Sequence, residues 1–136
     1  MKDELIYLAS PYTSENFGER EQRAHKVAML AGYLIAQGLN VFSPIAHSHY
    51  IANHSVVSSA SHGGKDYEVD PVHKMWMKVD LAVLQHCDKM YVYCLPGWEE
   101  SKGVQEEIEF CNNKGIPVVY LDTDGTLIRG FDGHSE

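Results

Sequence analysis

The chain has 136 residues, 44% hydrophobic and 22% charged, the size and balance of one soluble domain with a core of its own. Eleven basic side chains stand against nineteen acidic ones, a formal net charge of −8. That excess argues against a broad contact with duplex nucleic acid or an anionic membrane, though not against a small anion at a local site. No apolar run approaches the length of a membrane span. Cys87, Cys94 and Cys111 lie in or beside apolar runs and form no CxxC pair, the usage of reduced core thiols. The N-terminus enters a strand at once, leaving no room for a signal peptide, so the expected location is the cytoplasm.

Residues 4–9 are a short, continuous apolar run, as in a strand buried on both faces, and residues 10–14 end it as a loop. A helix is expected over 19–37, with Ala24, Val27, Ala28, Ala31, Leu34 and Ile35 inward and Gly38 as its stop. A second strand follows at 40–43, closed by Pro44. From 47 to 71 the pattern gives way to Ser, His, Gly, Asn and Asp, a loop of the length used for lids and binding segments, with room for a short helix near 48–53. Residues 72–86 are helical in pattern, with Val72, Trp76, Val79 and Val83 on one face and Lys74, Lys78 and Gln85 opposite. A third strand at 89–95 leads through a tight Pro-Gly loop into a helix ended by Gly115. A fourth strand spans 116–121, and an irregular polar tail begins at 122.

This order predicts a single α/β domain over 1–136, a flavodoxin-like or Rossmann-like parallel sheet of four to five strands with helices on both faces. Such sheets bind ligands outside the carboxyl ends of their strands, where strand order reverses. That crevice is expected between the ends of the first and third strands, with Ser10 facing the loop from Pro96 to Gly103.

Two carboxylates turn toward the core side of their helices. Glu107 falls roughly 60° from Val104, at the edge of a Val104–Ile108–Cys111 stripe, whereas Glu106 and Glu109 point toward water. Asp80 lies about 40° from Trp76, between Val83 and Leu84. An inward acid beside a strand end is either aimed into a cavity or engaged as a cap or ion pair. Tyr7, on the first strand, needs a partner for its hydroxyl, either a carboxylate or a backbone carbonyl. Ser101 and Gly103 open the helix of Glu107, a position suited both to N-capping and to holding an anion. His47, His49, His54, His62 and His73 cluster in sequence without HExxH or zinc-finger spacing, so no metal site is expected. Substrate contact by His47 or His49, just past the second strand, is the preferred reading of that group.

The segments Tyr7-Leu8-Ala9-Ser10-Pro11-Tyr12, Asp80 to Asp88 and Ser101-x-Gly103-x-x-x-Glu107 resemble the nucleoside 2-deoxyribosyltransferase-like family, above all its small members. The resemblance covers residues 5–121 apart from the His-rich loop. It implies cleavage of the N-glycosidic bond of a nucleoside or nucleoside 5′-monophosphate, by hydrolysis or base exchange and without a cofactor. On it, Glu107 is the nucleophile, Tyr7 holds that carboxylate, and Asp80 serves the departing base. Ser10, Pro11, Ser101, Gly103, Trp98 and His47 are the implied substrate contacts. Ser101 matches the monophosphate hydrolases of the family and favours its nucleotide N-glycosidase branch, with Ser10 and the Gly103 amide as further phosphate contacts, but Tyr12 stands where those carry an arginine; Arg20 or Arg23 is the candidate substitute. A homodimer or higher homo-oligomer is implied as well, the Trp98 loop or the tail serving as a neighbour's contact. Pro96-Gly97 with Gly103-x-x-x-Glu107 also echoes, without its second glycine and threonine, the motif of cytokinin-type phosphoribohydrolases. A non-catalytic nucleotide sensor is the alternative outside the enzymes.

Overall fold

The computed structural model describes residues 3–53 and 69–126. Its elements are β1 (Leu5–Ala9), α1 (Phe17–Ala36), β2 (Asn40–Phe42), α2 (Pro44–Asn53), α3 (Val69–Leu84), β3 (Lys89–Tyr93), a 3-10 turn (Trp98–Glu100), α4 (Lys102–Lys114) and β4 (Val118–Leu121). The four strands form one parallel sheet in the order β2-β1-β3-β4. Residues 54–68 of the expected long loop, and the tail beyond 126, lie outside the described residues.

Side chains alternate across the strands with period two, which sorts the core into two layers. Tyr7 and Ala9, Met90 and Val92, and Val118 and Tyr120 face Leu84 of α3 with Val104 and Cys111 of α4. Leu8, Tyr93 and Leu121 face Val27, Leu30, Ala31 and Leu34 of α1 on the other side. Helices thus cover both faces. Tyr7 lies between Phe42 of β2 and Met90 of β3 in the sheet register. All three cysteines are free thiols, Cys87 and Cys111 buried and Cys94 half-buried.

Several boundaries and faces differ from expectation for identifiable reasons. Helix α1 begins at Phe17 because Asn16 caps it, its Oδ1 accepting the Glu19 N–H at 3.0 Å. Its inner face is rotated: Leu30 is buried, whereas Ala28 is exposed and Ile35 is 52% exposed. Ser43 and Pro44 do not end β2 in a loop but start α2, as N-cap and first helical residue, and Ser43 Oγ accepts the Ala46 N–H at 3.1 Å. The segment expected to be irregular from 47 is therefore helical to Asn53, and 69–71 already belong to α3. In α3 the buried line runs through Met77 and Leu84, and Val79 is turned outward, 43% exposed. Lys74, Lys78 and Gln85 are exposed, as expected. Gly115 ends α4 in the left-handed conformation, φ 75°, its N–H bonded to the Cys111 carbonyl.

Strand order reverses between β1 and β3, the position at whose carboxyl ends parallel sheets of this kind hold their ligands, and the loops leaving these two strands meet there. Arg23 of α1 ties these loops together. Its Nη1 donates to the Thr13 carbonyl at 2.9 Å and its Nη2 to the Pro96 carbonyl at 3.2 Å. Gly97 beside it has φ 97°, and a Cβ there would stand 2.7 Å from Arg23 Nη2. Gly97→Ala is expected to lower stability by about 1–3 kcal/mol, since it combines left-handed backbone with displacement of this guanidinium. Urea unfolding checks the value.

Candidate active site

Helix α4 follows the loop that leaves β3 at this switch point, the candidate crevice. Ser101 is its N-cap, with Oγ accepting the Val104 N–H at 3.2 Å, and that bond fixes the turn from which Glu107 projects inward. The buried residues of α4 are Val104, Glu107 and Cys111, with Ile108 only half-buried, so Glu107 sits inside the buried sector of the helix rather than at its edge. It is 5% exposed. Tyr7, fully buried on β1, donates its O–H to Glu107 Oε2 at 2.6 Å. Of the two partners open to Tyr7, the carboxylate is the one it has.

Burial pushes the Glu107 carboxyl up to about 8, against the lowering effect of the Tyr7 hydrogen bond, and the Asp80 charge adds to the rise. Burial likewise pushes Asp80, on α3, up to about 7. Tyr7 is held far above the ordinary phenol range, first by burial, then by the charges of Glu107 and Asp80, so it remains a donor. The two acids belong to helices packed on the same face of the sheet, and each charge raises the cost of the other. The site therefore favours a single negative charge over two near neutral pH. Tyr7 lowers the cost of a charge on Glu107 by hydrogen-bonding its ionised form, and the pair shares the titration.

Tyr7→Phe removes that bond and leaves a buried carboxylate without its donor. The expected result is a further upward shift of Glu107 in a carboxyl-carbon NMR titration, with a loss of about 1–3 kcal/mol of stability where Glu107 is ionised.

Ser10, directly after β1, is 5% exposed, and its Oγ has no hydrogen-bond partner among the described residues. A buried hydroxyl in that condition is uncommon. Pro11 is fully buried behind it. Gly103 lies under α3: a Cβ there would meet His73 Cε1 and Met77 Sδ, each at 3.8 Å, so ordinary space remains. Trp98, in the 3-10 turn, is half-buried with its ring 5.6 Å from that of Tyr120. Arg20 and Arg23, the candidate anion-binding cations, serve the loop instead. Arg20 Nη1 donates to the Ser14 carbonyl, and its guanidinium lies over the Phe17 ring.

One expectation is corrected. Glu106 does not point freely to water; its Oε1 lies 3.1 Å from His73 Nε2, linking α4 to α3. Of the two histidines past β2, His47 is exposed against Phe42, whereas His49 is buried, 6% exposed, and bonded to Tyr12. Reading Ser43-Pro44 as a helix start would have shown this, because Ile45, His49 and Ala52 then share one face. Among the described residues, no three His, Cys, Asp or Glu side chains are grouped to hold a metal ion, and no helix is long and apolar enough to cross a membrane.

No curated protein matches this sequence significantly. Among solved structures, the chain is similar to the 2-deoxyribosyltransferase from the psychrotolerant bacterium Bacillus psychrosaccharolyticus, with a TM-score of 0.54 and 20% identity over 91% of this chain and 76% of that one. At that identity the likeness is one of fold: the α/β architecture with a parallel sheet is shared. The model of a domain of unknown function, DUF1937, matches residues 4–123, which takes in the whole sheet and every candidate site residue named above, and the chain belongs to that family.

Proposed function

We propose that the crevice cleaves the N-glycosidic bond of a nucleoside or a nucleoside 5′-monophosphate, with Glu107 as nucleophile. The observation that carries this reading is the buried Tyr7–Glu107 hydrogen bond, 2.6 Å long, with a second carboxyl, Asp80, raised by burial to about 7 and close enough for its charge to act on both. A fold shared with a nucleoside-modifying enzyme supports it.

In this scheme Tyr7 holds Oε2 and leaves Oε1 to attack the anomeric carbon. The carbon–nitrogen bond breaks as the new carbon–oxygen bond forms, and its electron pair goes to the base nitrogen. Asp80 hydrogen-bonds to or protonates the base, which makes it a better leaving group. The resulting glycosyl ester on Glu107 is then opened by water, giving hydrolysis, or by a second base, giving exchange. Ser10 and the start of α4 at Ser101 and Gly103 line the entry and hold the sugar end of the substrate.

The test is a panel of nucleosides and their 5′-monophosphates incubated with the protein and analysed by chromatography. Release of free base supports the reading, and a new nucleoside on adding a free acceptor base identifies transfer. Tight nucleotide binding with no base released from any member would favour a sensor instead.

A further inference from the structure

Glu106, the residue just before the inward carboxylate of α4, is held from α3. Its Oε1 lies 3.1 Å from His73 Nε2, with the histidine side chain 19% exposed and the glutamate side chain 40% exposed. His73 and Asp80 are seven residues apart on α3, two turns, so they lie within about 20° of each other around that helix. The side of α3 that carries Asp80 is therefore also the side that reaches Glu106. The two helices come close at this end: a Cβ on Gly103 would meet His73 Cε1 and Met77 Sδ, each at 3.8 Å. The contact thus joins the two helices that supply both acids of the candidate site.

A carboxylate oxygen only accepts, so the imidazole brings an N–H to Glu106 in this contact. That donor offsets part of the charge on Glu106, and an imidazolium would cancel it. The effect reaches the neighbouring acid. Burial is the main cause of the raised Glu107 carboxyl; Tyr7 opposes it, and the charges of Asp80 and then Glu106 add to it. The groups around Glu107 are Tyr7 from β1, Asp80 from α3 and, on α4, Glu106 and Cys111, with Cys87 ahead of β3 acting on Tyr7 and Cys111. Lys102 and Glu109 stand about one turn to either side of Glu106 on its own helix. Of the groups named, only Lys102 and His73 can carry positive charge, and His73 is the one brought in from a second helix.

We infer that the His73–Glu106 contact screens the Glu106 charge from Glu107 and so lowers the cost of a negative charge at the centre of the site. Its bearing on catalysis rests on the glycosidase reading above; the electrostatic claim does not. His73 and Glu106 are positioning residues, and both act through Glu107.

The experiment is a carboxyl-carbon NMR titration of the Glu107–Asp80 pair, without substrate, in wild type, Glu106→Gln, His73→Phe and His73→Leu. Glu106→Gln removes the neighbouring charge and should lower the titration by about half a pH unit. His73→Phe and His73→Leu each take away the donor and leave that charge unscreened, so they should raise it by a few tenths of a pH unit. The opposite signs carry the test, because all three substitutions break the same contact. Loosened packing alone would admit water to the buried acids, relieve their desolvation and lower the titration in every variant. In Glu106→Gln combined with His73→Phe the rise should vanish, since no charge is left to screen. The acid limb of the rate profile should move in the same directions as the titration. Shifts of one sign at both positions, or none at either, overturn the inference. Base release from no nucleoside would overturn the glycosidase reading, and the titrations would still decide this one.

Discussion

Glu107→Gln is expected to abolish base release, lowering kcat/KM by about 10⁴-fold or more, while nucleoside binding persists. An amide keeps the shape of the carboxyl and can still accept from Tyr7, but it cannot form the glycosyl ester on which the proposed route depends. The same substitution should stabilise the protein. The Glu107 carboxyl is raised to about 8 from an ordinary 4.5, so the folded state binds a proton that the unfolded state has released over that interval. Stability therefore falls as pH rises between those values, and the fall is complete above about pH 8. Glu107→Gln removes this penalty. Its advantage over wild type should be absent near pH 4, grow through neutrality, and reach about 2–4 kcal/mol at pH 9, as measured by urea unfolding across pH. A variant that loses activity while gaining stability places the cost of the buried acid at the site itself.

The second large effect concerns Asp80. Both acids are raised, and the reaction needs one of them ionised and the other protonated, so the wild-type rate should follow a bell about neutrality. The two limbs belong to the coupled pair and not to either acid alone: the acid limb reports loss of its single negative charge, and the alkaline limb loss of its last proton. Asp80→Asn should reduce kcat/KM by about 10²- to 10³-fold on ordinary nucleosides and remove the alkaline limb. With a base that leaves readily without protonation, the reduction should shrink to about tenfold or less, because the missing proton matters less there. Initial rates across pH with good and poor leaving bases make this comparison. An equal loss on both would place Asp80 in the scaffold rather than in the chemistry.

The order of elements was legible because strands buried on both faces read as unbroken apolar runs and helices carry their period. From that order the crevice followed, and so did the inward turn of Glu107 and Asp80, which depends only on helix geometry. What escaped the sequence had two causes. Ser43-Pro44 is compatible both with the end of a strand and with the start of a helix, and only tertiary packing decides; that ambiguity hid the start of α2, of which only a short helix near 48–53 was expected, and with it the burial of His49. Contacts between elements were the other cause. The pairing of Glu106 with His73, and the choice of Glu107 over a carbonyl as partner of Tyr7, depend on how α3 and α4 pack on the sheet, and no local pattern encodes that. Val79 misled for a related reason: an apolar residue on a helix flank is not thereby turned inward.

The most direct test of the account is whether a sugar becomes bonded to Glu107. A nucleoside with fluorine at the sugar 2-position slows both formation and breakdown of a glycosyl ester, so the ester accumulates when a good leaving base is used. Intact-mass measurement followed by peptide mapping should then show the mass of one fluorinated sugar on the peptide containing Glu107, with loss of the adduct on adding a free base or on long standing in water. Base release with no adduct at any time, or an adduct carried by Asp80 instead, would contradict the assignment of Glu107 as the nucleophile.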